Sequence, residues 1–112
     1  TTGDGLLSAL HLLEVMVKTK KTLSELASVM EVLPQALVNA KVPNHKKDNF
    51  MDYQEIADAV AKLEQKFNGE GRVLIRPSGT EPLVRVMIEG KDQKVIDEKA
   101  KKLAELITKI ML

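Results

Sequence analysis

Residues 72–89 carry two short apolar alternations with a stretch rich in turn residues between them. Val73 and Ile75 share one face of the first run. Val84, Val86 and Ile88 share one face of the second, with Arg85, Met87 and Glu89 on the other. A period of two is that of a strand half-buried in a sheet. The two runs are close enough in sequence to pair antiparallel, as a hairpin with a long loop. That pairing commits this part of the chain to a sheet, and the apolar face of the sheet needs helices to cover it.

The flanking segments supply them. From Gln35 to Val42 the pattern again has period two, with Val38, Ala40 and Val42 on one face and Asn39 and Lys41 on the other. Pro43 to Asn49 is polar and reads as a loop, and its His45 is assigned no chemistry. Asp52 followed by Glu55 predicts a helix start. Ile56, Val60, Leu63 and Phe67 then fall on one face, and Asn68-Gly69 predicts the stop. Gly90-Lys91-Asp92 turns into a last helix, with Val95, Ile96, Leu103, Ile107 and Ile110 expected on its buried face and Lys and Glu elsewhere. The order from Gln35 to Leu112 is β-α-β-β-α, which predicts a two-layer α+β domain.

Residues 1–34 read as a separate two-helix appendage. Thr1 to Gly5 is a polar turn, and Asp4 is placed to accept from the first helical N–H groups. Leu6, Leu10, Leu13 and Val17 form a stripe, widened by Leu7 and Val15, that should end near Lys18-Thr19-Lys20-Lys21. Thr22 and Glu25 have capping-box spacing and open a short helix carrying Leu23, Leu26, Ala27 and Met30, with Pro34 as the stop. Two short helices cannot bury such a stripe between themselves. Residues 1–34 are therefore expected to need a partner surface, or to self-associate or exchange between copies. The chain begins Thr1-Thr2-Gly3 without Met and reads as a piece of a longer protein.

Composition narrows the function classes. Hydrophobic residues make up 44% and charged residues 29%, a globular balance for 112 residues. A net charge of +1 supplies no basic field for nucleic acid, and one Tyr, two Phe and no Trp supply no stacking platform. The basic run at 18–21 reads as a solvated face. Cysteine is absent, which excludes disulfides and thiolate metal sites. No run is long and apolar enough for a membrane span, and no signal-peptide pattern is present. His11 has no sequence partner that would make it a metal ligand.

The candidate site is the loop of the hairpin. Arg76-Pro77-Ser78-Gly79-Thr80-Glu81-Pro82-Leu83-Val84-Arg85 brings together two hydroxyls and two guanidinium groups. Arg suits an oxyanion because its planar fork can donate two parallel N–H···O bonds. Gly79 is expected to turn the backbone with φ > 0, so that consecutive N–H groups converge on one concavity. Pro77 and Pro82 restrict the backbone on either side. Ser, Gly, Thr and Pro are also ordinary turn residues, so turn chemistry alone remains a competing reading of composition.

The full string is more specific than its composition. It resembles the phosphate-binding loop of the α-D-phosphohexomutases, and RPSGTEP with an Arg three residues later is similar to the glucosamine branch of that family. Gly3-Asp4-Gly5-Leu6-Leu7 and the helix after it resemble the end of the family's third domain. The β-α-β-β-α remainder resembles its small fourth domain, which has a TATA-box-binding-protein-like fold. The resemblance implies a cytoplasmic four-domain isomerase interconverting glucosamine 6-phosphate and glucosamine 1-phosphate through a bisphosphate, feeding UDP-N-acetylglucosamine and cell-wall precursor synthesis. A phosphoserine in the first domain, Mg²⁺ on aspartates of the second and a sugar-contact loop in the third are implied to lie outside this chain. What carries over here is phosphate binding by Arg76, Pro77, Ser78, Gly79, Thr80 and Arg85, with no catalytic residue and no metal ligand. Glu81 has the wrong sign to touch phosphate, and Asp4 is isolated. The implied partners are a phosphosugar and the other domains of the same protein, with neither nucleic acid nor membrane, and this chain alone is expected to be inactive. A stand-alone module for phosphorylated ligands and a plain interaction domain are the alternatives.

Overall fold

The structure is a computed structural model, and it describes residues 2–112; Thr1, the first residue of the expected polar turn, lies outside the described residues. The chain divides into two compact units, one ending at Val32 and the other spanning Leu33–Leu112.

The first unit holds helices α1 (Gly5–Thr19) and α2 (Leu23–Ala27). Asp4 caps α1 as its sequence position predicts, its Oδ1 accepting from the Leu7 amide at 3.0 Å. Lys20 ends the helix in the left-handed region, with φ 55°. Both halves of the capping box are formed. The Glu25 amide donates to Thr22 Oγ1 at 3.2 Å, and the Thr22 amide donates to Glu25 Oε2 at 2.7 Å. The second helix is shorter than its apolar spacing suggests, because it closes at Ala27 and leaves Met30 beyond its end. No residue of either helix is buried. His11 lies exposed, 3.4 Å from Glu14.

The second unit is built on a three-stranded antiparallel sheet in the order β1 (Gln35–Lys41), β3 (Leu83–Glu89), β2 (Arg72–Pro77). Alternation does what the sequence pattern requires. Val84, Val86 and Ile88 of the central strand are fully buried. Their cross-strand partners are Ala40, Val38 and Ala36 on β1, and Pro77, Ile75 and Val73 on β2. Helices α3 (Gln54–Phe67) and α4 (Gln93–Met111) cover this face, α4 against β1 and β3, and α3 against β2 and α4. Neither α3 nor α4 covers the opposite face, and Leu37 there is 64% exposed. The two-layer β-α-β-β-α arrangement is thus the observed one, with a 3-10 helix (Lys47–Asp52) added inside the expected polar connection.

Two local expectations are corrected. Asp52 does not cap α3; Tyr53 occupies the cap position and makes no side-chain hydrogen bond there, because Asp52 is taken up as the last residue of the 3-10 helix. Val95 is 44% exposed, while Ala100, Ala104 and Met111 join Ile96, Leu103 and Ile107 in the core. Small residues let α4 lie close to the sheet, a role that a stripe defined by bulky side chains misses. Gly71 and Gly90 are held by proximity, since a Cβ on Gly71 would lie 2.6 Å from Phe67 and 2.7 Å from the Glu89 carbonyl, and one on Gly90 would lie 2.8 Å from Ile96. The stop of α3 at Asn68-Gly69 is as expected, both residues having positive φ.

Candidate functional site

The hairpin register brings the two arginines together. Arg76 on β2 lies directly across from Arg85 on β3. Both side chains alternate out of phase with the buried valines, so both stand on the face that α3 and α4 leave open, and both are exposed. Like charges directly opposite in an antiparallel pair repel. The acid at hand is Glu81, whose Oε2 lies 3.5 Å from Arg85 Nη2 across an exposed gap. Two guanidinium groups side by side with one half-solvated carboxylate leave an excess of positive charge that an oxyanion would neutralise.

The loop that follows β2 is held from within. The Ser78 amide donates to the Leu83 carbonyl at 2.9 Å, closing the hairpin. The Leu83 amide donates to the Glu81 carbonyl at 2.8 Å across Pro82, whose fixed φ matches the centre of an inverse γ-turn. Ser78 is only 4% exposed, and its Oγ accepts from the Glu81 amide at 3.2 Å. The Pro82 carbonyl accepts from the Val42 amide at 3.1 Å, tying the loop to the end of β1.

Each loop N–H can now be accounted for. Those of Ser78, Glu81 and Leu83 are used internally, whereas those of Gly79 and Thr80 donate to no acceptor among the described residues. Two adjacent unspent amides therefore sit at the exposed tip. With the exposed Thr80 hydroxyl they form a set of donors at the end of the hairpin that carries the two guanidinium groups, above the nearly buried Ser78.

Gly79 fills its place for a different reason from the expected one. Positive φ among the described residues is confined to Gly3, Lys20, Asn68 and Gly69, so Gly79 turns without it. The internal bonds from Ser78 and Leu83 shape the loop instead. A Cβ on Gly79 would meet no atom within 4 Å, so what glycine contributes is an uncovered approach to the neighbouring amides. Pro77 ends β2 opposite Val84, at the base of the loop. All six residues singled out from sequence thus fall on one hairpin end. Sequence reasoning missed the inward role of Ser78. The signal was present in its spacing to the Glu81 amide, three residues on, where a serine oxygen commonly accepts.

Among the described residues, no group of three or more His, Cys, Asp or Glu side chains could hold a metal ion. The guanidinium, hydroxyl and amide donors of the hairpin do not fit a magnesium site. No helix among the described residues is long and apolar enough to cross a membrane.

Known proteins place these features in a lineage. The sequence pattern of the phosphoglucomutase/phosphomannomutase C-terminal domain matches residues 37–106, and that of the alpha/beta/alpha domain III of the same proteins matches residues 1–33. Phosphoglucosamine mutase of Clostridium acetobutylicum is 58% identical over 109 residues, which are 97% of this chain and 24% of that protein. Phosphoglucosamine mutase of Ruminiclostridium cellulolyticum is 61% identical over 107 residues, 96% of this chain and 24% of its own length. The chain therefore spans about a quarter of these relatives. In fold it is similar to the crystal structure of Aspergillus fumigatus N-acetylphosphoglucosamine mutase in complex with GlcNAc-6P and magnesium, with a TM-score of 0.76 and 22% identity, covering 98% of this chain and 22% of that one. Because the C-terminal-domain pattern spans residues 37–106, more than half of its length, the chain belongs to the phosphoglucomutase/phosphomannomutase family.

Proposed function

We propose that this chain is the substrate-phosphate-binding, C-terminal part of a phosphoglucosamine mutase, an isomerase that interconverts glucosamine 6-phosphate and glucosamine 1-phosphate through a bisphosphate. The carrying observation is the Arg76–Arg85 pair standing across from each other beside a loop with two unspent amides. In this reading residues 35–112 are the phosphate-binding domain and residues 1–34 the helical tail of the domain before it.

The division of labour follows from the donors present. Arg76, Arg85, the Ser78 and Thr80 hydroxyls and the Gly79 and Thr80 amides hold the phosphate that is not reacting, with Pro77 fixing the base of the loop. None of them is an acid, base or nucleophile at neutral pH, so they bind and orient rather than transfer. Grip on a remote phosphate is binding energy that can be used to align the reacting one. The loop reads charge and leaves the hexose unread, so it can accept a phosphate at either end of the sugar. A bisphosphate that turns between two half-reactions requires that indifference. Phosphoryl transfer and Mg²⁺ belong to other domains of the whole enzyme, and this chain alone does not turn over substrate. The exposed stripe Leu6, Leu10, Leu13 and Val17 on α1 is covered in the whole protein, and in this chain alone it drives self-association, visible by light scattering.

The test is a titration of the isotope-labelled chain with glucosamine 6-phosphate, inorganic phosphate and unphosphorylated glucosamine, read by backbone amide shifts. Shifts at Ser78, Gly79 and Thr80 with both phosphate ligands, lost in Arg76→Ala and Arg85→Ala, are expected. Equal shifts with glucosamine would sink the reading. So would unchanged turnover on placing Arg76→Ala in a full-length mutase. High affinity for phosphorylated ligands unrelated to hexoses would favour a stand-alone binding module instead.

A further inference from the structure

The face of the sheet that α3 and α4 leave open continues past the two arginines. Asn39 on β1 lies directly across from Arg85, which lies directly across from Arg76. One amide and two guanidinium groups thus form a single line over three strands. Lys41 is one face-step nearer the loop, across from Leu83 and diagonal to Arg85. Its position is fixed by the next residue, since the Val42 amide donates to the Pro82 carbonyl at 3.1 Å. Asn39 and Lys41 are both exposed, and neither side chain makes a hydrogen bond or ion pair. Arg76, Arg85 and Lys41 therefore gather on one end of one face, with Glu81 as the acid in contact with any of them.

We infer that the anion site extends onto β1, with Lys41 as a third cationic group for a phosphate monoester dianion and Asn39 as the amide that meets a hydroxyl of the attached polyol. This rests on the phosphate reading of the loop. Side chains on diagonal positions of neighbouring strands stand about 7–8 Å apart, within reach of a long lysine. A lysine ammonium on a flexible stem can follow the second charge of a dianion while the arginine forks hold its oxygens. An asparagine amide offers a donor and an acceptor together, which suits a hydroxyl and adds nothing for a bare phosphate. The site thus separates into a part that reads charge, at the loop and Lys41, and a part that reads the ester, at Asn39.

Dissociation constants of the full chain for inorganic phosphate and for glucosamine 6-phosphate test this. Lys41→Ala is expected to weaken both ligands about two- to five-fold, the scale of one partly screened charge at that range, while Lys41→Arg keeps them. Asn39→Ala is expected to leave inorganic phosphate unchanged and to weaken glucosamine 6-phosphate about three- to ten-fold, the scale of one hydrogen bond. Thermal unfolding of all three variants should match the unaltered chain, since both positions are exposed. If Lys41→Ala or Asn39→Ala binds glucosamine 6-phosphate as the unaltered chain does while Arg76→Ala has lost it, the extension is overturned and the loop reading stands. If the unaltered chain binds neither ligand, or Arg76→Ala binds both as well as the unaltered chain, the loop reading falls and the extension with it.

Discussion

The two faces of β3 are made by the same seven residues and do opposite things. Val84, Val86 and Ile88 point into the helices and hold the domain together. Leu83, Arg85, Met87 and Glu89 point the other way, onto a face that α3 and α4 leave open. On the covered face every neighbour is apolar and nothing is left over. On the open face two arginines are placed in a register that a design for stability alone would avoid. In the proposed reading, stability and phosphate binding are carried by alternate side chains of one strand, and a substitution should affect one or the other according to its parity.

The sharpest way to break that comparison is on the covered face. Ile88→Ala should destabilise the chain by about 3 kcal/mol in a denaturant melt, from lost burial and an unfilled space between the sheet and α4. Phosphate affinity measured well below the transition should barely change. The open face should show the reverse. Arg76→Ala should leave the denaturation midpoint unchanged or slightly raised, since it relieves repulsion with Arg85, yet weaken phosphate binding at least about ten-fold. A parallel loss of stability and binding in that variant would mean the two faces are not independent.

Smaller changes sharpen the division within the site. Gly79→Ala meets no steric obstacle and needs no positive φ, so its stability should be that of the parent. Its new methyl group would stand by the unspent amides, and binding should fall about three-fold. The weakest expected effect lies far from both faces. On α4, Lys102 Nζ lies 2.5 Å from Glu98 Oε1, and this hydrogen bond, followed by the charge of Lys102, holds the Glu98 carboxyl below its ordinary value. A lowered carboxylate contributes stability that is present above its unfolded value, near 4.5, and is lost as pH falls through the folded one. The pair is exposed, so Glu98→Gln should flatten only a shallow acid-side slope in thermal midpoint against pH.

Much of this was legible in the sequence because it is written in local spacing. Parity assigns the faces of all three strands, and the Asp4 cap and the Thr22–Glu25 box are short-range bonds between residues three apart. The candidate residues stood out as a string, and the antiparallel hairpin then brings Arg76 across from Arg85. What escaped depends on what a residue meets elsewhere. Asp52 is a good cap by type, but the 3-10 helix before it uses the position. Val95 is apolar and would suit the buried stripe, yet Ala100 and Ala104 set how closely α4 approaches the sheet. Gly79 looks like a residue chosen for positive φ, and only the bonds from Ser78 and Leu83 reveal that the turn is made without it. The cross-strand line from Asn39 to Arg76 joins residues far apart in the chain, so no local pattern could announce it.

The bond between the Val42 amide and the Pro82 carbonyl has a kinetic meaning. A loop anchored at Ser78, at Pro82 and through Pro82 to β1 has little freedom to close by itself, because any excursion must break hydrogen bonds that the sheet also depends on. If the tip binds phosphate as proposed, capture and release there require no folding and unfolding of the loop. They require the whole sheet, with its two helices, to approach and leave the ligand as one piece. The rate of that exchange would be governed by the connection that carries the domain, and the tip would arrive already in shape.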